Sequence, residues 1–192
     1  MIKHIVTPLS KEVIESLSCG DSVTLTGYIY TARDAAHKRL CGLIEAGKEL
    51  PFDIKDQVIF FAGPAPAKPG RPIGSVGPTT SYRMDAYSPL LIRNELAGMI
   101  GKGSRGAAVV DAMKDCGAVY FCAIGGCAAL LAKCVKSSET VCYEDLGTEA
   151  VRKLYVEDMP LTVAIDCRGD DIYQKGKKDY LDTIKEKQDG LR

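Results

Sequence analysis

Between Tyr30 and Arg33 the hydrophobic pattern changes period. Residues 23–30 alternate and are rich in β-branched and aromatic side chains, which is a strand pattern. From residue 33 to 46 the apolar positions Ala36, Leu40, Leu43 and Ile44 fall along one side of a helix, and Gly47 suits its end. Gly20-Asp21 supplies the turn that opens the strand. A chain that switches period this abruptly is committed to packing strands and helices together. Ligands often bind at such a strand-to-helix junction, beside the helix amino terminus.

The same reading continues along the chain. Residues 58–61 form a short, strongly apolar strand. Residues 62–77 are so dense in proline and glycine that regular structure is denied them. They are either a linker or a long internal loop. Neither flank is large enough to be an obvious separate domain, which favours the loop, and long loops in compact domains are often functional. Ser88-Pro89 reads as an N-cap and first turn, predicting a helix through Leu91, Glu95 and Met99 to a stop at Gly101. A further helix is expected over 105–116, broken by Gly117, then a buried strand over 118–124. Gly125-Gly126 turns into a short Ala/Leu helix ending near Cys134. Residues 148–156 read as helical and 161–166 as a last strand. The fold class is therefore α/β, in one domain spanning 1–192, with 62–77 an internal loop and 170–192 a charged tail.

Composition excludes some functions. Lys plus Arg number 25 and Asp plus Glu number 25, so the net charge is zero and the basic excess of a nucleic-acid binder is missing. No run is apolar enough to cross a membrane, and the amino terminus has no secretion-signal pattern, so a cytoplasmic setting is expected. Eight cysteines occur, but no CxxC pair, and several sit in apolar runs such as Cys122. Zinc and iron–sulfur sites usually show a close pair, so these cysteines read as reduced packing residues and no metal ligand is assigned to this chain.

Three segments carry possible chemistry. In Gly77-Pro78-Thr79-Thr80-Ser81-Tyr82-Arg83-Met84-Asp85, three hydroxyls follow a turn and an arginine follows closely. An arginine fork with hydroxyls and turn amides can recognise a carboxylate, although a Ser/Thr turn capping the next helix has the same appearance. In residues 31–39, Arg33 occupies the strand-to-helix junction and His37 lies one turn later on the same side; a solvated basic helix face is the bland alternative. Gly101-Lys102-Gly103-Ser104-Arg105-Gly106 matches GxGxxG formally. The preceding segment reads as a helix rather than a strand, and no clear acidic residue ends the next strand, both of which argue against a dinucleotide fingerprint. Its glycines could instead let Lys102 project toward an anion.

Together the segments TARDAAHKRL, FFAGPAPAKPG, IGSVGPTTSYRMD, GKGSRGAAVVDAMKDCGAVYF, AIGGCAALLAK and YEDLGTEAVRKLYVEDMPLTVAID resemble the β-subunit, or carboxy-terminal region, of iron–sulfur fumarases and L(+)-tartrate dehydratases. The resemblance covers nearly the whole chain. It implies a swivelling β/β/α domain that works with an α-subunit, the partner holding a [4Fe–4S] cluster through three cysteines. It further implies that Arg33 and Arg83 bind substrate carboxylates with Thr80 and Ser81. Lys102 would add charge near the substrate, and Thr79 would sit close to the carbon that gains or loses a proton. His37 is a candidate for supporting the site from behind and is given no catalytic role. The implied activity is reversible hydration of fumarate to L-malate, with L(+)-tartrate dehydration as the close rival. A non-catalytic anion-binding or interaction module and a nucleotide-dependent enzyme remain as readings of other classes.

Overall fold

The computed structural model describes residues 1–189, and the last three positions of the expected charged tail, 190–192, lie outside the described residues. The elements run β1 (Lys3–Val6), α1 (Lys11–Ser16), β2 (Ser22–Thr31), α2 (Asp34–Glu45), β3 (Val58–Phe60), α3 (Ser88–Arg93), β4 (Gly98–Gly101), α4 (Ala107–Cys116), β5 (Val119–Cys122), α5 (Ala128–Cys134), β6 (Val135–Cys142), β7 (Val151–Ile165) and α6 (Ile172–Asp189). Two 3-10 turns, Ser81–Met84 and Glu144–Glu149, complete the list.

Strands β2, β3, β4 and β5 are successive parallel neighbours. β7 runs antiparallel to both β5 and β2, which closes the wall into a barrel-like sheet. β1 lies parallel to the first half of β2, and β6 lies antiparallel to the first half of β7. Closure gives β2 to β5 and β7 neighbours on both sides and leaves β1 and β6 as the edges of the sheet.

Side-chain alternation divides the core in two, because successive residues of a strand face opposite sides. Val58, Phe60, Ile100, Val119 and Phe121 join one buried cluster, to which α1 contributes Ile14. Ile59, Phe61, Met99 and Tyr120 face the other, under Leu40 of α2, Leu91 of α3 and Met113 of α4. The central strands are apolar on both faces, as expected of parallel strands covered on both sides.

That double burial explains the first of two departures from the sequence reading. The helix predicted from Ser88 to Gly101 stops at Arg93, Glu95 takes a left-handed φ of 70°, and Met99 belongs to β4. A strand buried on both faces has the same continuous apolar run as a buried helix, so periodicity cannot separate them. Ser88 is not the cap either: its hydroxyl donates to Met84 O at 2.9 Å from inside the helix. Of the helix expected over 148–156, residues 148–149 end the Glu144–Glu149 3-10 turn and residues 151–156 are the first part of β7, a strand of 15 residues held by β2 on one side and β6 on the other. Pairing with two neighbours overrides the local pattern there. Residues 62–77 contain no helix or strand, yet Ala65 N–H donates to Ser75 O and Val76 N–H to Ala128 O, which ties the segment to itself and to α5.

Candidate active site

The carboxyl ends of β2, β3, β4 and β5 lie side by side, as parallel pairing requires. Arg33 follows β2, Phe61 to Gly63 follow β3, Lys102 follows β4 and Gly125 follows β5 closely. This is the edge of a parallel sheet where ligands are most often bound. Residues 79–83 cross it. Thr79 N–H donates to Phe61 O at 2.6 Å, and Ser81 N–H donates to Lys102 O at 2.9 Å. Thr80 and Lys102 form an isolated parallel bridge. Gly101 makes the crossing possible: a Cβ there would collide with Ser81 Oγ and lie 2.9 Å from the Phe61 ring. A Cβ on Gly125 would lie 3.6 Å from Lys102 Nζ, so the lysine runs from the end of β4 toward the turn after β5.

Arg33 forms the N-cap position of α2. Its Nη2 lies 3.3 Å from Glu149 Oε1, while Glu149 Oε2 accepts the Ala35 N–H at 3.1 Å. A carboxylate is thus held where the helix dipole and free amides favour an anion. Asp34 lies in the first turn of the same helix and binds Arg83 through two contacts of 2.9 Å, one to Nε and one to Nη2. It is also 3.9 Å from Arg33 Nη2. Arg33 packs against the β3 turn, since a Cβ on Gly63 would lie 3.0 Å from its Nη1. Arg33 Nε is buried with no hydrogen-bond partner. Arg83 keeps 42% of its side chain exposed.

The structure therefore brings Arg33 and Arg83 together through Asp34, and Thr79, Thr80 and Lys102 together through the backbone of the crossing segment. Among the described residues Lys102 has no ion pair. Ser81 requires a correction. It is fully buried, its hydroxyl is 2.8 Å from Tyr120 OH, and it accepts the Lys102 N–H at 3.0 Å. Its hydroxyl is enclosed and occupied, so it positions Lys102 and does not reach a ligand. His37 is also fully buried. Burial pushes its pKa down to about 4, against a raising hydrogen bond from Nδ1 to Arg33 O at 2.9 Å, so the ring is neutral. That bond makes Nδ1–H the donor and leaves Nε2 buried without a partner.

Asp34, Glu149, Tyr120 and Tyr173 escaped the sequence reading. Asp34 carried one signal, an acidic side chain in the first helical turn. Glu149 is 114 residues from its amide partner and carried none. Tyr120 OH donates to Gly103 O at 2.9 Å, and Tyr173 OH accepts the Gly103 N–H at 3.1 Å, so both tyrosines brace the Lys102 loop.

Residues 101–106 do follow a strand and open a helix, contrary to expectation, so that part of the context argument against nucleotide binding fails. A different observation replaces it. The amino terminus of α4 already holds a carboxylate: Asp85 Oδ2 accepts the Gly106 N–H at 2.7 Å, and Arg105 Nε donates to Asp85 Oδ1 at 2.7 Å. The place a pyrophosphate would take is filled by the protein itself.

Arginines, a lysine and a threonine converging on the carboxyl edge of parallel strands define a mixed α/β domain suited to a small anion. The sequence profile described as Fumarase C-terminus matches residues 3–176, and the chain belongs to that family. It is similar to the class I, anaerobic fumarate hydratase of Escherichia coli (strain K12), with 45% identity over 170 residues, covering 86% of this chain and 31% of that relative. It is also similar to a protein of Methanocaldococcus jannaschii provisionally named L(+)-tartrate dehydratase subunit beta, with 37% identity over 191 residues, covering 96% of this chain and 98% of that one. Fumarate hydratase 1, mitochondrial, of Leishmania major is 39% identical over 169 residues, covering 85% of this chain and 31% of the relative. The chain thus spans about a third of the length of the fumarate hydratases it matches.

Proposed function

We propose that this chain is the β-subunit of a two-subunit hydro-lyase that interconverts fumarate and L-malate, built on a swivelling β/β/α domain. The observation that carries the reading is the convergence of Arg33, Arg83, Lys102 and Thr79 on one edge, in a chain similar both to the carboxy-terminal third of single-chain fumarate hydratases and, end to end, to a separate subunit.

A C4 dicarboxylate presents two anionic ends to this edge. Arg83 offers a planar fork, held in orientation by Asp34. Arg33 offers a second at a helix amino terminus, where Glu149 holds the place of an anion. When a proton leaves the carbon beside a carboxylate, negative charge grows on that carboxylate, and fixed cations stabilise it most at that moment. Lys102 adds charge from the adjacent strand end. Thr79, tied through its amide to Phe61 O, holds its side chain at a fixed place for proton transfer. A threonine hydroxyl is a weak base, so this role requires a proton acceptor from the partner.

The donors on this edge are cationic and hydroxyl groups, which suit the substrate's carboxylates rather than a metal ion. In this reading the partner α-subunit carries a [4Fe–4S] cluster, which when bound supplies an iron acting as Lewis acid on the substrate. A cytoplasmic setting belongs to this reading. No helix among the described residues is long and apolar enough to cross a membrane.

L(+)-tartrate dehydration is the second reading, favoured by the near-complete coverage of the Methanocaldococcus jannaschii chain. The test is anaerobic turnover of fumarate, L-malate and L-tartrate by this chain alone and after co-expression with the cluster-bearing polypeptide. Turnover by the mixture only is expected, and the preferred substrate chooses between the two readings. A mixture with an intact cluster and no turnover of any of the three would leave a non-catalytic anion-binding module.

A further inference from the structure

Beside the candidate site lies a groove that the reactions above do not use. It has a volume of about 390 Å³ and is lined by the start of β2, the turn after β5, α5 and the 160–162 stretch of β7. Three of its large apolar side chains face solvent: Ile124 is 71% exposed, Leu130 60% and Ile2 56%. Scattered exposed apolar residues are ordinary, but three that line one groove form a patch of the kind that marks an interaction surface.

Two observations indicate what covers it. First, the groove adjoins the candidate site. Ile124 is the immediate neighbour of Gly125, and a Cβ on Gly125 would lie 3.6 Å from Lys102 Nζ. A body that covers Lys102 at this edge therefore lies against the turn that carries Ile124. Second, the matched family is the carboxy-terminal part of fumarase, and this chain corresponds to only 31% of the single-chain Escherichia coli relative. In such a protein the remaining polypeptide enters this domain from its amino-terminal end. The match to that family begins at residue 3, and its neighbour Ile2 is itself a wall of the groove.

We infer that the groove bounded by Ile2, Ile124 and Leu130 is the docking surface for the polypeptide that corresponds to the amino-terminal two-thirds of the single-chain relatives. The inference rests on the proposed function for its partner and adds where that partner sits. It requires an apolar ridge on the partner, adjacent to the surface that presents its reacting groups to Lys102. The interface core would be apolar and its rim would include the lysine, the usual arrangement of a specific interface.

The experiment uses the full chain, tagged, co-expressed with the cluster-bearing polypeptide. Association is measured for the wild type, for Ile124→Glu and for Leu130→Glu. Both side chains are exposed, so the isolated variants should melt with the wild type. Each is expected to weaken association at least tenfold. Hydrogen exchange on the wild-type complex gives a readout independent of any variant: residues 124–131 and 160–162 should become protected on association. A wild type that associates while both variants bind equally well and the groove stays unprotected would overturn the docking site but leave the proposed function standing. No association of the wild type would overturn both. If instead the isolated wild type self-associates and the glutamate variants abolish that, with no effect on the mixed complex, the groove belongs to a second copy of this chain and the inference fails.

Discussion

Two arginine–carboxylate networks sit on neighbouring strand ends, and they are built differently. Arg105 has 0% of its side chain exposed, and every side of it is occupied. Nε binds Asp85, Nη2 donates to Ser88 Oγ at 2.6 Å, Nη1 lies 3.3 Å from Met99 Sδ, and the guanidinium packs over Phe61 and Tyr120 at 5.2 and 5.1 Å. Burial pushes its pKa down and Asp85 opposes the shift; an arginine remains charged under both influences. The Arg33–Asp34–Arg83 network is open. Arg83 is substantially exposed, Arg33 Nε has no partner, and Glu149 is borrowed from the other end of the chain to occupy a helix amino terminus. A closed network holds the fold, because each guanidinium nitrogen already has a partner. An open one has capacity left for a ligand. The same residue types in the same kind of pair thus do different work according to burial and satisfaction.

The sharpest way to break this contrast is to remove each arginine in turn. Arg105→Ala leaves Asp85 beside an empty, buried site, and urea denaturation of the isolated chain should show a loss of about 3–5 kcal/mol. A loss within the range of surface substitutions would show that the two networks are equivalent. Arg33→Ala should act mainly on catalysis. In the assembled enzyme kcat/KM is expected to fall roughly a hundredfold or more, the usual scale for deleting a group that stabilises developing charge. The stability of the isolated chain should change far less than for Arg105→Ala, since its ion pair is partly solvated.

His37 lies between the two networks and sharpens the comparison through pH. Its folded pKa of about 4 is below its ordinary value of 6.5, so the unfolded chain binds the extra proton first. The stability from burying the neutral ring is fully present above pH 6.5 and is lost as pH falls toward 4. The loss reaches about 3 kcal/mol by the linkage relation. Denaturation midpoints across that window should fall more steeply for the wild type than for His37→Leu. Parallel slopes would mean that the ring is not held neutral. The smallest effect is expected for Glu149→Gln. It removes a charge from the α2 amino terminus and should cost about 0.3–1 kcal/mol by the same denaturation assay. A larger loss would move Glu149 into the closed class.

The open network was more legible in the sequence than the closed one. Arg33 stands out because the pattern changes period around it, and Arg83 because it follows a run of hydroxyls. Both signals are local. Arg105 reads as the start of a helix, and its partner Asp85 lies 20 residues away across β4, which itself reads as helix. β4 and the early part of β7 read as helix for different reasons: burial of β4 on two sides erases the alternation that distinguishes a half-buried strand, whereas residues 151–156 are set as strand by pairing with β2 and β6, which the local pattern does not show. β2 kept its alternation and was placed to within one residue at each end. Ser81 shows the same limit at the site. Its chemistry suggests a ligand contact, but its enclosure by Tyr120 and Lys102 depends on a bridge between segments that only the folded chain brings together.

The most direct test of the open network is the steady-state kinetics of Arg83→Ala in the assembled enzyme with L-malate and fumarate, beside a melting curve of the isolated variant. If Arg83 holds a carboxylate on which charge grows, KM rises, kcat falls and the melting temperature stays near that of the wild type. Unchanged KM and kcat would remove Arg83 from the site and contradict the assignment of the open network to substrate.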